Sequence, residues 1–252
     1  MRGLQTAVSL LTRVPIGDAP RAGPDLARSL PWFPVVGALV GLGVAGVYAA
    51  ALLALPAIVA AALAVTVGVV VTGALHEDGL ADTADAFTGG WTKEERLRIL
   101  KDPLHGTYGV LAITGSVVLR VAAIAALSSW TALAVLPAAH ALSRAGCAAL
   151  LPTVEPATEA GLGASYAGAV RRGPVLAAVA LALAIATAAL GAWAIAAAIL
   201  TAAGTGFVGR LAARRIGGVT GDVLGAAEQV GETLVLILCA ALVQSRLPLP
   251  GW

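Results

Sequence analysis

The chain has 252 residues, of which 59% are hydrophobic and only 12% are charged, and its formal net charge is +2. A soluble domain has no use for that much apolar surface. The composition therefore predicts a polytopic integral membrane protein, built as a single domain over residues 1–252. The small net charge argues against nucleic-acid binding.

The N-terminal segment, residues 1–16, places Arg2 and Arg13 around a short apolar stretch. It lacks the long apolar region and the cleavage site of a signal peptide. We therefore expect an amphipathic segment that lies in the membrane interface.

Apolar runs of about 20 residues can cross a bilayer as helices. We predict an all-α helix bundle with about seven transmembrane helices, at residues 32–55, 57–75, 107–127, 131–151, 175–190, 192–212 and 223–243. Only Gly191 separates the fifth span from the sixth, so the sequence leaves open whether they are separate helices.

The basic residues between the spans predict the orientation of the bundle. If seven spans alternate, the arginines and lysines before the first span and after the second, fourth and sixth all fall on one side. The connections on the other side are short and nearly uncharged. We therefore expect a multi-pass protein of the cell (inner) membrane with a cytoplasmic N-terminus.

An acidic cluster, residues 76–85, directly follows the second span. Asp78, Asp82 and Asp85 are spaced i, i+4 and i+7, so on a helix they share one face. Carboxylates this close repel one another unless a cation lies among them. Mg²⁺ prefers oxygen ligands and commonly links carboxylates to substrate phosphates. The cluster indicates a phosphate-handling metal site at the cytoplasmic membrane surface, and the alternative is a solvated acidic helix start.

A second polar segment enters the seventh span. It contains Asp222, and Glu228 and Glu232 follow at an i, i+4 spacing inside the apolar boundary. Ionisable groups there are costly and usually face a polar cavity or a partner. We expect these acids to share one cavity with the first cluster, the alternative being glutamates neutralised within the bundle. The glycine-rich entry, with Thr220 and Gly221, allows close approach to a ligand.

Basic residues provide a candidate lining for a pyrophosphate. Lys101 and His105 lie in the polar segment before the third span, where a turn and two glycines also converge. Arg144 lies inside the fourth span, four residues after His140. An arginine in a span pairs with an acid or reaches an interface, so functional and structural roles for Arg144 are equally open.

Taken together, these motifs resemble the cobalamin synthase family, membrane enzymes that close the lower nucleotide loop of cobalamin. The resemblance runs in order along nearly the whole chain, through residues 12–15, 33–37, 76–85, 101–102, 106–109, 143–144 and 217–232. Two departures stand out. Glu77 occupies a position where the family commonly has leucine, and Pro103 one where it commonly has serine.

The resemblance implies a transferase that joins α-ribazole, or its 5′-phosphate, to adenosylcobinamide-GDP and releases GMP. Breaking a pyrophosphate needs positioning and charge neutralisation more than covalent help. We therefore expect Mg²⁺ as cofactor, and the predicted ligands are Asp78, Asp82, Asp85, Asp222, Glu228 and Glu232.

The implied roles of the side chains follow from this chemistry. Lys101 and Arg144 would neutralise developing phosphate charge, and His76, His105 or a carboxylate would accept the proton of the attacking hydroxyl. The predicted catalytic residues are Asp82, Glu228, Lys101, Arg144 and His76. The predicted substrate-binding residues are Lys101, His105, Arg144, Thr220 and Gly221. The sequence leaves a homo-oligomer open.

Two other classes of membrane protein also carry acids in or near their spans. A cation-coupled transporter would hold them near the bilayer midplane, whereas we expect these acids at one membrane face. A CDP-alcohol phosphotransferase would begin its motif Asp-Gly-x-x-Ala-Arg, whereas Ala81 is followed here by Asp82.

Overall fold

The computed structural model describes residues 2–16, 24–159, 161, 165 and 170–247, and this part of the chain forms an all-helical bundle. The helices are α1 Arg2–Leu11, α2 Pro24–Ser29, α3 Phe33–Ala51, α4 Ala57–Thr72, α5 Leu75–Gly89, α6 Lys93–Ile99, α7 Thr107–Ala125, α8 Ser129–Leu150, α9 Arg172–Leu190, α10 Trp193–Ile216 and α11 Gly221–Gln244. A short 3₁₀ turn, Leu30–Trp32, joins α2 to α3. The predicted fold class is confirmed.

Six helices of the described chain are long and apolar enough to cross a membrane, namely α3 with the segment before it, α7, α8, α9, α10 and α11. The second predicted span differs from the expectation. Its helix, α4, has only 16 residues and ends at Thr72, and α5 leaves it at an angle of 90°. The bend arises because Gly73 and Ala74 both adopt left-handed backbone conformations, which glycine reaches without strain.

The fifth and sixth predicted spans are separate helices. Gly191 ends α9 with φ 57° and ψ −132°, and α10 begins two residues later. This backbone conformation is one that glycine adopts far more readily than other residues, because it has no Cβ. The orientation of the bundle in the membrane stays a prediction.

The N-terminal helix α1 is amphipathic, as expected. It buries Thr6, Ala7 and Leu11 and leaves Arg2 and Gln5 exposed. Its placement in the membrane interface stays a prediction.

Helix α8 lies at the centre of the bundle, with 15 of its 22 residues buried. Glycines allow α3 to approach it closely, since a Cβ added to Gly37 or Gly41 would lie 2.5 Å from the carbonyl oxygen of His140 or Leu136. This packing turns the polar side chains of α8 inward.

Helix α5 packs against α11 in the same way. A Cβ on Gly79 would lie 2.6 Å from the carbonyl oxygen of Asp222, and one on Gly225 would lie 3.3 Å from the Cα of His76. The two segments that carry most of the acids are therefore held side by side.

Candidate active site

Three of the predicted metal ligands lie at the end of the bundle where α5, α7 and α11 meet. Asp78 and Asp82 project from α5, and Asp222 lies in the first turn of α11. His105, in the loop before α7, lies between the two aspartates of α5. Its Nε2 is 3.5 Å from Asp78 Oδ1, and its Nδ1 is 3.1 Å from Asp82 Oδ1. We call these four residues the face cluster.

The start of α11 brings Asp222 into the face cluster. Thr220 caps this helix, since its Oγ1 accepts a hydrogen bond from the backbone N–H of Val223 at 3.3 Å. The same hydroxyl lies 3.3 Å from Asp222 Oδ2 and donates to it. Gly221 is the first residue of the helix, so its backbone lies at the positive end of the helix dipole.

The carboxylates of the face cluster crowd one another. Burial raises the pKa of Asp82 to about 6, the nearby charges of Asp78 and Asp222 raise it further, and His105 opposes the shift. Asp82 lies on α5, which is outside the six spanning helices. Ionised carboxylates held this close favour a cation among them.

Asp85 has a different task from the other two aspartates of α5. Its carboxylate accepts hydrogen bonds from the backbone N–H groups of Gly106 at 2.6 Å and Gly109 at 2.9 Å. These donors belong to the start of α7, whose first N–H groups have no partner within the helix. Asp85 thus caps α7 and fixes the loop that carries His105. Lys101 lies exposed at the beginning of that loop.

A second polar group lies inside the bundle, and we call it the buried network. Arg120 of α7 donates to Glu77 Oε1 at 2.9 Å and to Glu232 Oε1 at 3.4 Å. Glu232 Oε2 lies 3.0 Å from His140 Nδ1. Arg144 Nη1 contacts Glu228 Oε1 directly and lies 3.6 Å from Glu232 Oε2.

Neutral groups complete the buried network around Glu228. Ser143 Oγ donates to Glu228 Oε1 at 2.8 Å, and Gln229 Nε2 donates to Glu228 Oε2 at 3.1 Å. His76 Nδ1 lies 3.6 Å from that second oxygen. Gln229 also donates to Glu77 at 3.3 Å. Glu228 is therefore fully buried and surrounded by donors.

The structure separates the six predicted metal ligands into groups, so the expectation of one shared cavity is not met. Glu228 and Glu232 lie with arginines, because burying a carboxylate inside a helix bundle requires a counter-charge. The ligand atoms of His140, Glu228 and Glu232 do lie within 4.8 Å of one another. However, Arg144 Nη1 already contacts this group, 3.0 Å from His140 Nδ1. Metal binding by these glutamates stays a prediction.

The buried network also extends deeper than the sequence indicated. Glu232 is the twelfth of 24 residues in α11, and Arg120 the fourteenth of 19 in α7. The expectation that the acids lie only at one membrane face was therefore incomplete. Sequence reasoning assigned no role to Glu77, which proves to be the partner of Arg120. An arginine inside a span requires such an acid, and that rule could have linked the two.

An apolar cleft lies beside both groups, between α1, α3, α5, α8 and α11. It is lined by Leu10, Leu11, Phe33, Leu75, His76, Arg144, Cys147, Leu151, Gly221, Leu224 and Gly225. His76 and Arg144 are its charged or titratable residues, and both belong to the buried network. The cleft thus brings two predicted catalytic residues next to an apolar wall.

The helices and the face cluster define a polytopic membrane protein with a polar site at one end of its bundle. Its particular family follows from comparison with known proteins. A family model described as cobalamin-5-phosphate synthase matches residues 3–240. The chain belongs to this family.

Similar proteins carry one name. A protein of Bradyrhizobium diazoefficiens named adenosylcobinamide-GDP ribazoletransferase is 44% identical over 247 residues, covering 96% of this chain and 95% of its own. Proteins of the same name from Ralstonia nicotianae and Rhizobium etli are each 40% identical, covering 97% and 93% of this chain and 96% and 94% of their own. No solved structure matches the chain. Family membership decides against the transporter and the CDP-alcohol phosphotransferase.

Proposed function

We propose that this protein joins α-ribazole, or its 5′-phosphate, to adenosylcobinamide-GDP, giving adenosylcobalamin or its 5′-phosphate and GMP. The family and the name of its relatives support this reaction. The observation that carries it in the structure is the face cluster, where carboxylates from α5 and α11 converge on one exposed histidine. We further propose that the bundle lies in the cell (inner) membrane and that the face cluster opens to the cytoplasm.

The donor set of the face cluster fits Mg²⁺. Asp78, Asp82 and Asp222 offer hard oxygen ligands, and in the described chain His105 is the histidine between the two aspartates of α5. Arginine holds the glutamates of the buried network, but no arginine contact is found among the described contacts of these three aspartates. When bound, Mg²⁺ would neutralise the diphosphate and stabilise the leaving GMP. Asp85 would support the site by holding α7 in place.

The remaining groups of the face cluster bind and move protons. The attacking ribose hydroxyl loses its proton as the new phosphate ester forms, and the electron pair of the broken bond leaves with GMP. His105 is partly exposed and lies between carboxylates, so we assign the proton to its ring or to Asp82. Lys101 is exposed on the same loop and would bind a phosphate of the substrate. Backbone N–H groups at Gly221 would orient a phosphate at the start of α11.

The groups of the buried network would act from the other side. Glu228 holds Arg144, and His76 lies next to both along the apolar cleft. We propose that this network fixes the second substrate while the face cluster handles the pyrophosphate. Each acid then has one main task, either to hold a cation or to hold an arginine.

The reaction can be tested with purified protein in detergent, given adenosylcobinamide-GDP and α-ribazole. We expect cobalamin and GMP in equal amounts with Mg²⁺ and none with EDTA. Asp82→Asn should lower turnover by at least about 100-fold, as loss of one electrostatic contact to a transition state commonly does. The matched control is Glu94→Gln, which changes an exposed acid on α6 and should retain activity. Folded protein that forms no product under either condition would refute the proposal.

A further inference from the structure

The apolar cleft begins where the face cluster ends. Leu75 lines the cleft and precedes Asp78 and Asp82 by three and seven residues, so all three lie on one face of α5. On α11, Gly221 lines the cleft and is followed directly by Asp222. A molecule with a phosphate or ribose at the face cluster could therefore extend an apolar part into the cleft.

The walls of the cleft select the kind of group that can enter. Leu10 and Leu11 of α1, Phe33 of α3, Leu151 after α8 and Leu224 of α11 provide apolar surface. Guanine carries several donors and acceptors, and each would need a partner in this wall. A corrin is far wider than the gap between neighbouring helices. An aromatic base with few polar atoms matches the wall best.

One buried donor in the cleft lacks a partner. Arg144 is 2% exposed, and its Nη1 is held by Glu228 and His140. Its Nε has no hydrogen-bond partner in the described chain. Buried donors are almost always satisfied, and an exception in a cleft points to a ligand.

We infer that the apolar cleft binds the aromatic base of α-ribazole and that Arg144 Nε donates a hydrogen bond to its free ring nitrogen. This inference rests on the proposed function. The base is a dimethylbenzimidazole, which is apolar except for one unsubstituted ring nitrogen, an acceptor. Its methyl groups would contact Leu10 and Leu151, and its ribose would point toward the face cluster. The N-terminal helix thereby becomes one wall of a substrate site.

The first test narrows the cleft. Leu10→Trp should raise the KM for α-ribazole by about tenfold or more, since one misfitting group in an apolar pocket has effects of this size. The KM for adenosylcobinamide-GDP should stay unchanged. The riboside of benzimidazole, which lacks both methyl groups, should be penalised less. The matched control is Val8→Trp, which adds the same bulk to α1 at a groove shared with α3 and α4.

The second test removes the acceptor from the ligand and leaves the protein unaltered. An α-ribazole analogue with indole in place of the benzimidazole has a carbon at the position of the free nitrogen. Equilibrium dialysis with wild-type protein should show its binding weakened by about tenfold, because the buried donor is again left unpaired. Equal binding of the two ligands would overturn the role of Arg144.

The outcomes of these tests are distinct. A rise in the KM for adenosylcobinamide-GDP alone would assign the cleft to the corrinoid substrate, and unchanged KM values for both would assign it to lipid. Either result overturns the inference. If Leu10→Trp fails to fold, Leu10→Ala replaces it, and unchanged dialysis of α-ribazole would then overturn the inference. Absence of product with wild-type protein would refute the proposed function, whereas dialysis of α-ribazole tests the cleft independently.

Discussion

Removal of Arg120 should destabilise the protein strongly, because this residue balances the buried network. Three carboxylates of the network, Glu77, Glu228 and Glu232, face the guanidinium groups of Arg120 and Arg144. In Arg120→Leu the same carboxylates would face a single guanidinium. Glu77 would lose its only arginine among the described contacts.

The magnitude follows from the burial of the pair. Arg120 is 5% exposed and Glu77 is 6% exposed, so neither charge is solvated by water. Breaking a buried ion pair by removing one partner typically costs about 3–5 kcal/mol. Removing both partners leaves no uncompensated charge, so Glu77→Leu combined with Arg120→Leu should be the more stable variant. The coupling between the two changes should be about 1–3 kcal/mol.

Thermal unfolding of the purified protein in one detergent, followed by tryptophan fluorescence, measures this ordering. The control is Val118→Leu, which changes a lipid-facing side chain of the same helix and should leave the midpoint in place. We expect wild type and control to be most stable, the double variant to follow, and Arg120→Leu to unfold first. If Arg120→Leu were as stable as the control, or the double variant no better than the single one, the buried network would not balance charge as described.

Three further predictions concern the face cluster. Gly79→Ala should push α5 away from Asp222, at a cost of about 1–3 kcal/mol, and lower turnover; Gly43→Ala, whose Cβ would meet nothing within 4 Å, should do neither, and equal turnover of the two variants would contradict the close packing. Asp85→Asn should lower the thermal midpoint through loss of the α7 cap, worth about 1 kcal/mol, yet change the Mg²⁺ requirement of turnover less than Asp82→Asn does. Because the pKa of Asp82 is raised to about 6, protonation should weaken Mg²⁺ binding as the pH falls through that value, and Asp78→Asn should shift this transition to lower pH in a metal titration.

The sequence predicted the helices of the bundle well, because membrane spans are defined by composition and length. It also placed the acids of α5 and α11 together, since helical spacing shows which residues share a face. It did not predict that α4 ends at Thr72. That break depends on the left-handed conformations of Gly73 and Ala74, and an alanine in this conformation leaves no signal in hydropathy.

The division of the acids into two groups was also beyond the sequence. Glu228 and Glu232 are spaced for a shared ligand, and the same spacing serves two arginines equally well. Only the three-dimensional packing brings Arg144 of α8 and Arg120 of α7 to those glutamates. Long-range ion pairs between spans leave no local pattern, which is why the partners of Glu77 and Glu232 could not be assigned from the chain alone.

Metal binding by two variants tests the central claim, that the face cluster holds the cation and the buried network holds arginines. Mn²⁺, a paramagnetic substitute for Mg²⁺, can be titrated into Asp82→Asn and Glu228→Gln in detergent and followed by electron paramagnetic resonance. We predict that Asp82→Asn loses the bound Mn²⁺ signal and that Glu228→Gln keeps it. Loss of the signal in Glu228→Gln, with Asp82→Asn still binding, would move the cation into the bundle and contradict the claim.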